Sequence, residues 1–231
     1  MILAVVTSTQ WIGLSLYEES RTLAEWGWFS RGHHTVELAP SIQGLLSRCG
    51  VEPSSLDVLA IAIGPGSFTS LRIGLSVVKG MALALHIPVI GVPTLDFTAA
   101  SQPVQDLPLV AILQAGRSRI AAGWYQAENG EWQAQGEPIL MTADELAKMI
   151  RTPTLVCGEL TGEQRQSLQR KYKNVLMTPP AQSTRRAAFL AEMAWKRWKQ
   201  GRVDDPVTLS PIYLHTIDAI PASSSRYFII N

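Results

Sequence analysis

The chain has 231 residues, 46% of them hydrophobic, and its 20 lysines and arginines nearly balance 19 acidic residues for a formal net charge of +1. At roughly 150 residues per domain this is one large domain or two small ones with apolar residues enough for a core. Balanced charge excludes an acidic or basic tail protein and a domain that grips nucleic acid with its whole surface. The charged fraction of 17% is below the usual quarter, which hints at a face covered by another protein.

Residues 2–6 read as a short apolar strand, ended by Thr7-Ser8-Thr9. This opening has no basic region and stops too soon for a signal peptide. Ile12, Leu14 and Leu16 alternate with smaller or polar residues as a second strand, and residues 22–29, with Trp26 and Trp28, close an antiparallel meander. The period then changes. Thr35 is a candidate N-cap for a helix reaching Gly50 through Leu38, Ile42, Leu45 and Leu46, with Pro40 predicting a kink or a late start. Residues 58–63 are continuously apolar, as in a strand buried on both faces. A glycine-rich loop, a helix over 70–85, a strand over 87–92 and a short helix opened by Pro93 at its first position follow. The longest apolar stretch, 81–92, is broken by His86, Pro88 and Gly91 and is too short to span a bilayer.

A boundary falls over 102–108, and the series then repeats. Strands are predicted over 109–114, 119–126 and, more weakly, 138–141. Thr142 and Glu145 form a capping box for the next helix. A strand over 154–157, a helix over 162–170, a strand over 174–177 and a long helix over 184–200 complete the set. This order predicts two mixed sheets, each flanked by helices, meeting at a cleft. The expected division is a first lobe over 1–104, a second over 105–220 whose last helix can pack back on the first, and a tail over 221–231. Cys49 and Cys157 fit no metal-ligand spacing, and the expected location is the cytoplasm.

The most informative segment is Gly64-Pro65-Gly66-Ser67-Phe68-Thr69-Ser70-Leu71-Arg72-Ile73-Gly74. A buried strand enters a glycine turn, and Ser67 or Thr69 can cap the helix that follows. Two readings stay open: a tight strand-to-helix turn, or backbone N–H groups that cradle a phosphate. Walker A requires a lysine that is absent after Gly66, and the dinucleotide fingerprint requires glycine where Thr69 stands.

This run resembles the signature of the TsaB (YeaZ) family, the non-catalytic subunit in bacterial tRNA threonylcarbamoyladenosine synthesis. Ile2-Leu3-Ala4, His34-Thr35, Gly91-Val92-Pro93-Thr94-Leu95 and Pro211-Ile212-Tyr213-Leu214 match in the same order. The likeness is dense over 1–100 and thin over 105–205. It implies an α/β, actin/Hsp70/hexokinase-like fold of two ribonuclease-H-like lobes. It further implies a scaffold that binds a homologous catalytic subunit of the TsaD type, helps dock an ATPase subunit of the TsaE type, or self-associates as a homodimer. The assembled complex would transfer threonylcarbamoyl to N6 of adenosine 37 in tRNAs reading codons that begin with A, with ATP and metal on the partner subunits. Departures from the family pattern are Val6 where an aspartate is usual, Gln114-Ala115-Gly116 for Asp-Ala-Arg, and Ser70 for a glycine.

Those departures bear on chemistry. A Mg²⁺–phosphate group needs anionic oxygen ligands, and Val6 and Gln114 supply none. His33, His34, His86 and His215 make no HxxxH or HExxH, so no metal site, catalytic residue or resident cofactor is expected. The alternatives are a free-standing ATP-binding kinase or ATPase of the same fold and a glycoprotease-like metallopeptidase. The helix over 70–85 is apolar nearly all round, so one face covers the sheet and another needs a further cover. Loops of the same chain or a partner could supply it. The resemblance implies that the helices over 35–48 and 70–85 form the partner face, with Ile42, Leu45, Leu46, Ser76, Gly80 and Ala84 as candidates. Arg72 braces the loop or reaches an anion. The last helix, assigned Arg185, Arg186, Lys196, Arg197, Lys199 and Arg202 with Trp195 and Trp198, is either a solvated face or a tRNA contact.

Overall fold

Three antiparallel strands open the chain: β1 (Ile2–Val6), β2 (Trp11–Glu18) and β3 (Arg21–Phe29). β1 sets Leu3 opposite Leu16 and Val5 opposite Leu14. Helix α1 (His34–Arg48) leads to β4 (Val58–Ala62), which lies parallel to β1, and α2 (Phe68–Leu85) leads to β5 (Val89–Val92), parallel to β4. β1, β4 and β5 are buried along their whole length, because crossover helices cover a parallel sheet on both faces. The coordinates are a computed structural model that describes residues 1–116, 118–171 and 173–214. The tail expected over 221–231 lies outside the described residues.

Helix α3 (Thr94–Ala100) ends the first series. The second runs β6 (Leu109–Gln114), β7 (Arg119–Glu128), β8 (Glu131–Ala134), β9 (Ile139–Thr142), α4 (Ala143–Met149), β10 (Thr154–Gly158), α5 (Gly162–Lys171) and β11 (Val175–Met177), then α6 (Ala187–Lys199). The first sheet has the order β3-β2-β1-β4-β5, and the second has β8-β7-β6-β10-β11 with β9 also paired to β7. The two orders are the same. This doubled ribonuclease-H-like topology is the actin/Hsp70/hexokinase-like fold.

The outer helices are exchanged between the two sheets. Ala187, Leu190, Ala191 and Ala194 of α6 pack on Ile2, Ala4, Val58 and Ala60 of the first sheet. Leu95 and Ala99 of α3 pack on Leu109, Ala111, Leu113, Ala121 and Cys157 of the second. The remaining faces are covered by α1 and α2 on the first sheet and by α4 and α5 on the second.

Several local expectations are corrected. α1 starts at His34 with no side-chain cap, and the His33 carbonyl accepts from Val36 N and Glu37 N at 3.0 Å, so Thr35 lies inside the first turn. The helix runs on through Pro40, whose exposed position lets water take the place of the donor that proline lacks. Pro93 is the residue before α3, not its first. The third strand of the second lobe is shared by β8 and β9. Glu131-Trp132-Gln133-Ala134 shows little apolar pattern, and its signal is the preceding Asn129-Gly130, at φ of 52° and 78°. α6 begins three residues later than expected, after a short 3-10 turn at Pro180–Ser183, so Arg185 and Arg186 precede the helix. The capping box at Thr142 and Glu145 is present in both directions.

Candidate functional site

The candidate partner face is built by α1 and α2. Ser67 caps α2 by accepting from Ser70 N at 3.4 Å, and Ser70, Leu71, Gly74, Leu75, Val78 and Ala82 turn inward. α2 is the one helix among the described residues long and apolar enough to cross a membrane by composition, yet this inward face packs on β4 and α1. Its other side is also apolar. Leu83 is 77% exposed, Val77 and Met81 are half-buried, and Ser76, Gly80 and Ala84 face outward. On α1, Val36 is 67% exposed, and Ala39 and Gln43 are open to solvent. Between the helices lies a groove of about 700 Å³, lined by residues including Ala39, Ile42, Gln43, Leu46, Val77 and Met81.

The candidates therefore separate. Ser76, Gly80 and Ala84 are at the surface, and a Cβ added at Gly80 would meet nothing within 4 Å. Ile42 and Leu46 are buried but form the groove floor. Leu45 is 0% exposed and belongs to the core. At helical spacing, Leu38, Ile42 and Leu45 lie on one side, and that side meets the sheet. Sequence reading missed Val36 and Leu83, whose apolar character was legible but whose outward direction was not.

The glycine-rich loop is explained by close contacts within the chain. Ser67 N donates to the Ser8 carbonyl at 2.7 Å, and a Cβ on Gly66 would collide with that same oxygen. The Gly64 carbonyl accepts from Thr94 N at 2.7 Å, and Ser8 and Thr94 hydroxyls bond at 2.7 Å. Thr69 is exposed. Arg72 braces a returning segment: its Nε donates to Tyr213 Oη at 2.9 Å, and its guanidinium lies 3.6 Å from the Phe68 ring centroid. The Phe68 and Tyr213 rings stand 5.1 Å apart.

Beside this loop a cleft of about 810 Å³ separates the lobes, bounded by Thr9, Gln10, Gly66, Ser67, Gln114, Gly116 and Glu159 among others. At its floor the Arg185 side chain, 1% exposed, makes a 2.8 Å ion pair with Glu159 and donates to Thr9 Oγ1. The Thr9 carbonyl is 2.8 Å from His34 Nε2, and Trp11 Nε1 donates to the Arg185 carbonyl at 3.1 Å. The hydrogen bond from Arg185 to Thr9 ties the first hairpin to the segment that leads into α6. Arg185 can turn inward because it precedes α6. A divalent cation requires several anionic oxygens. Here Val6 is buried in β1, Gln114 Nε2 donates to Gln164 Oε1 at 2.6 Å, and Glu159 is engaged by Arg185. The donor set does not fit a Mg²⁺–nucleotide. Among the described residues no group of three or more His, Cys, Asp and Glu side chains could hold a metal ion. His215 lies outside them.

The cations assigned to the last helix are mostly paired within the chain. Arg186 meets Glu25 at 2.7 Å, Lys196 meets Glu131 at 3.1 Å, and Arg197 meets Asp204 at 3.2 Å. Lys199 sits over the Trp195 and Trp198 rings at 4.6 and 4.7 Å. Between the lobes, Tyr125 Oη donates to Asp96 Oδ1 at 2.8 Å. Burial pushes the Asp96 carboxyl above its ordinary range, against the opposing pull of that hydrogen bond, and burial raises the Tyr125 phenol as well. Burial also pushes the Cys157 thiol up to about 12, which makes it inert.

Residues 29–189 match the family model described as "TsaD: tRNA N6-adenosine threonylcarbamoyltransferase". The chain is 33% identical over 171 residues to the tRNA threonylcarbamoyladenosine biosynthesis protein TsaB of Bacillus subtilis (strain 168), covering 73% of this chain and 75% of that one. The TsaB protein of Escherichia coli (strain K12) is 32% identical over 138 residues, 58% of this chain and 59% of that one. The solved structure of YeaZ from Pseudomonas aeruginosa superposes with a TM-score of 0.74 at 25% identity, over 92% of this chain and 99% of that one.

Proposed function

The chain belongs to the TsaB (YeaZ) family, and from that premise we propose that it works in tRNA threonylcarbamoyladenosine biosynthesis as a non-catalytic subunit. In this reading it binds a homologous TsaD-type catalytic subunit through the outward faces of α1 and α2 and shapes that subunit's site. A TsaE-type ATPase subunit docks on the assembly, and the cytoplasm is where the tRNA substrate is met. The complex transfers a threonylcarbamoyl group to N6 of adenosine 37, with ATP and metal held on the other subunits.

The observation that carries this reading is the second apolar face of α2. Leu83 stands on it beside Ser76, Gly80 and Ala84, the half-buried Val77 and Met81 lie toward the groove with α1, and no described residue covers Leu83. An apolar face of this kind marks an interaction site. A homologous subunit carries a corresponding helix pair, so the contact would be pseudo-isologous, with small residues such as Ser76, Gly80 and Ala84 allowing close helix approach. The cleft supports the non-catalytic reading through its chemistry, since the one carboxylate lining it among the described residues, Glu159, is committed to Arg185.

The test is assembly of the purified chain with the catalytic subunit. Leu83→Arg and Ala84→Arg are each expected to weaken that complex by at least about 100-fold, roughly 2.7 kcal/mol, in calorimetry or size-exclusion chromatography. The circular dichroism melt of the isolated chain should stay unchanged. A complex of undiminished affinity with both variants would overturn the interface. A solution mass of the isolated chain decides whether the same face also forms a homodimer, because Leu83→Arg would then return it to a monomer.

A further inference from the structure

The first-lobe rim of the inter-lobe cleft brings together three kinds of side chain that the helix-pair face does not use. Phe29 and Phe68, 62% and 54% exposed, both line the cleft. Phe29 ends β3, and the next residue ties that end to Gln10 through the 2.7 Å bond from Ser30 N to the Gln10 carbonyl. The Gln10 side chain is exposed at the same rim, with no hydrogen-bond partner among the described residues. Phe68 opens α2, and Arg72, one turn later, lies over its face with the guanidinium 3.6 Å from the ring centroid. The Arg72 Nε is spent on Tyr213 Oη, and both Nη groups are without a partner among the described residues. Arg31, two residues beyond Phe29, is exposed and has no ion-pair partner among them.

Two phenylalanines left in water at one concave place mark a binding site, where single exposed apolar residues would not. The cleft's volume of about 810 Å³ lies within the roughly 300–1,000 Å³ of ligand pockets. Its one charged lining residue, Glu159, is already met by Arg185, so no free carboxylate opposes an anion there among the described residues. An apolar peptide would cover the two rings but would leave the Gln10 amide and both guanidiniums unmatched. A strand of nucleotides matches all three. Flat bases suit the rings, base edges suit an amide that both donates and accepts, and phosphates suit the arginines. The net charge of +1 keeps such a contact local and weak.

We propose that this rim is a stacking site for single-stranded RNA, with bases on the Phe29 and Phe68 rings, a base edge on the Gln10 amide, and flanking phosphates on Arg31 and Arg72. Arg72 is pre-organised for the task, because the Phe68 ring and Tyr213 fix its guanidinium before any ligand arrives. That the strand is RNA rests on the proposed role in tRNA modification. The stacking itself uses no residue of the helix-pair face.

Fluorescence anisotropy of a dye-labelled single-stranded RNA of about ten nucleotides, titrated with the full chain at low salt, tests the site. Binding is expected in about the 1–100 μM range of sequence-independent contacts. Phe29→Ala and, separately, Phe68→Ala should each weaken it about 5-fold or more, while Phe29→Trp keeps the parent affinity. Since the Phe29 side chain stands mostly in water, its variants should melt as the parent chain does. Arg31→Gln should lower the slope of log affinity against log salt by about 0.7, one single-strand phosphate contact. No binding, or unchanged affinity in both alanine variants, overturns the site. Displacement of the strand by an equal concentration of AMP would make it a mononucleotide pocket and overturn the strand. Alanine variants that lose the catalytic subunit but hold RNA as before would make the rim a protein contact, which also overturns it. Leu83→Arg should leave RNA affinity unchanged, so failure of the helix-pair face and failure of this site are read separately.

Discussion

α2 and α5 occupy the same place in their respective lobes, each crossing between the second and third parallel strands of its sheet. They could hardly differ more in sequence. α5 carries Leu168 as its one aliphatic residue, and Leu168 is buried. α2 spends Leu71, Leu75 and Val78 on its sheet and still carries the half-buried Val77 and Met81 toward α1 and an exposed Leu83. The topology therefore needs one apolar stripe on this helix, and α5 shows how little is enough. Of this surplus Val77 and Met81 still pack against the first core, while Leu83 stays 77% exposed among the described residues. The proposed partner face rests on that surplus rather than on apolarity as such.

The lobes are alike in strand order but are not independent, because each sheet is covered on one face by a helix from the other half of the sequence. The largest expected effect tests this exchange. Leu190→Ala removes a fully buried contact of α6 with the first sheet and should cost about 2–5 kcal/mol. Hydrogen exchange should show both sheets losing protection together. A second sheet that keeps its stability would mean that the lobes unfold separately.

Next in size is Arg185→Ala. Removing one partner of a buried ion pair costs about 3–5 kcal/mol; with Glu159 28% exposed, about 2–3 kcal/mol is expected in urea denaturation. Arg186→Ala, next in sequence but in an exposed pair with Glu25, should cost less than about 1 kcal/mol. Equal losses would show that burial does not distinguish the two arginines.

A smaller effect is pH-dependent. The Asp96 carboxyl is raised above its ordinary 3.8 by burial, so the folded state holds its proton more tightly than the unfolded one. The associated stability is fully present below pH 3.8 and is lost as pH rises through the raised folded value. Asp96→Asn keeps an acceptor for Tyr125 and removes this titration. Its melting temperature relative to the parent chain should therefore improve from pH 3.5 to pH 7, and a pH-independent difference would refute the assignment. The smallest effect is that of Leu83→Arg on the fold itself, within about 0.5 kcal/mol, since that side chain touches mainly water. A large loss would mean that α2's outer face is structural after all.

Much of the architecture is legible in the residues. The alternation in β2, the unbroken apolar runs of β4 and β6, the helical spacing in α1 and the capping box at Thr142 each use a local rule. The repetition of their order identifies the two lobes. Boundaries were missed where the rule is weak: β8 is a polar edge strand announced only by Asn129-Gly130, and α6 starts late, after a 3-10 turn at Pro180–Ser183 and without a side-chain cap. Of the candidate site, the chemistry of the helix pair was readable but its direction was not. Leu45 and Leu83 are both leucines on amphipathic helices, and nothing local says that one meets the sheet and the other meets water.

Sequence alone thus determined composition, element order and the lack of acidic groups at Val6 and Gln114, because these depend on residue identity and short-range spacing. Tertiary structure decided what depends on distant residues meeting. It brought Glu159 and Thr9 to Arg185 and set Tyr213 against Arg72 across 141 positions of sequence. It also crossed α3 and α6 over to the opposite sheets. Such pairings follow from closing two sheets around shared helices, and no periodicity within either segment encodes them.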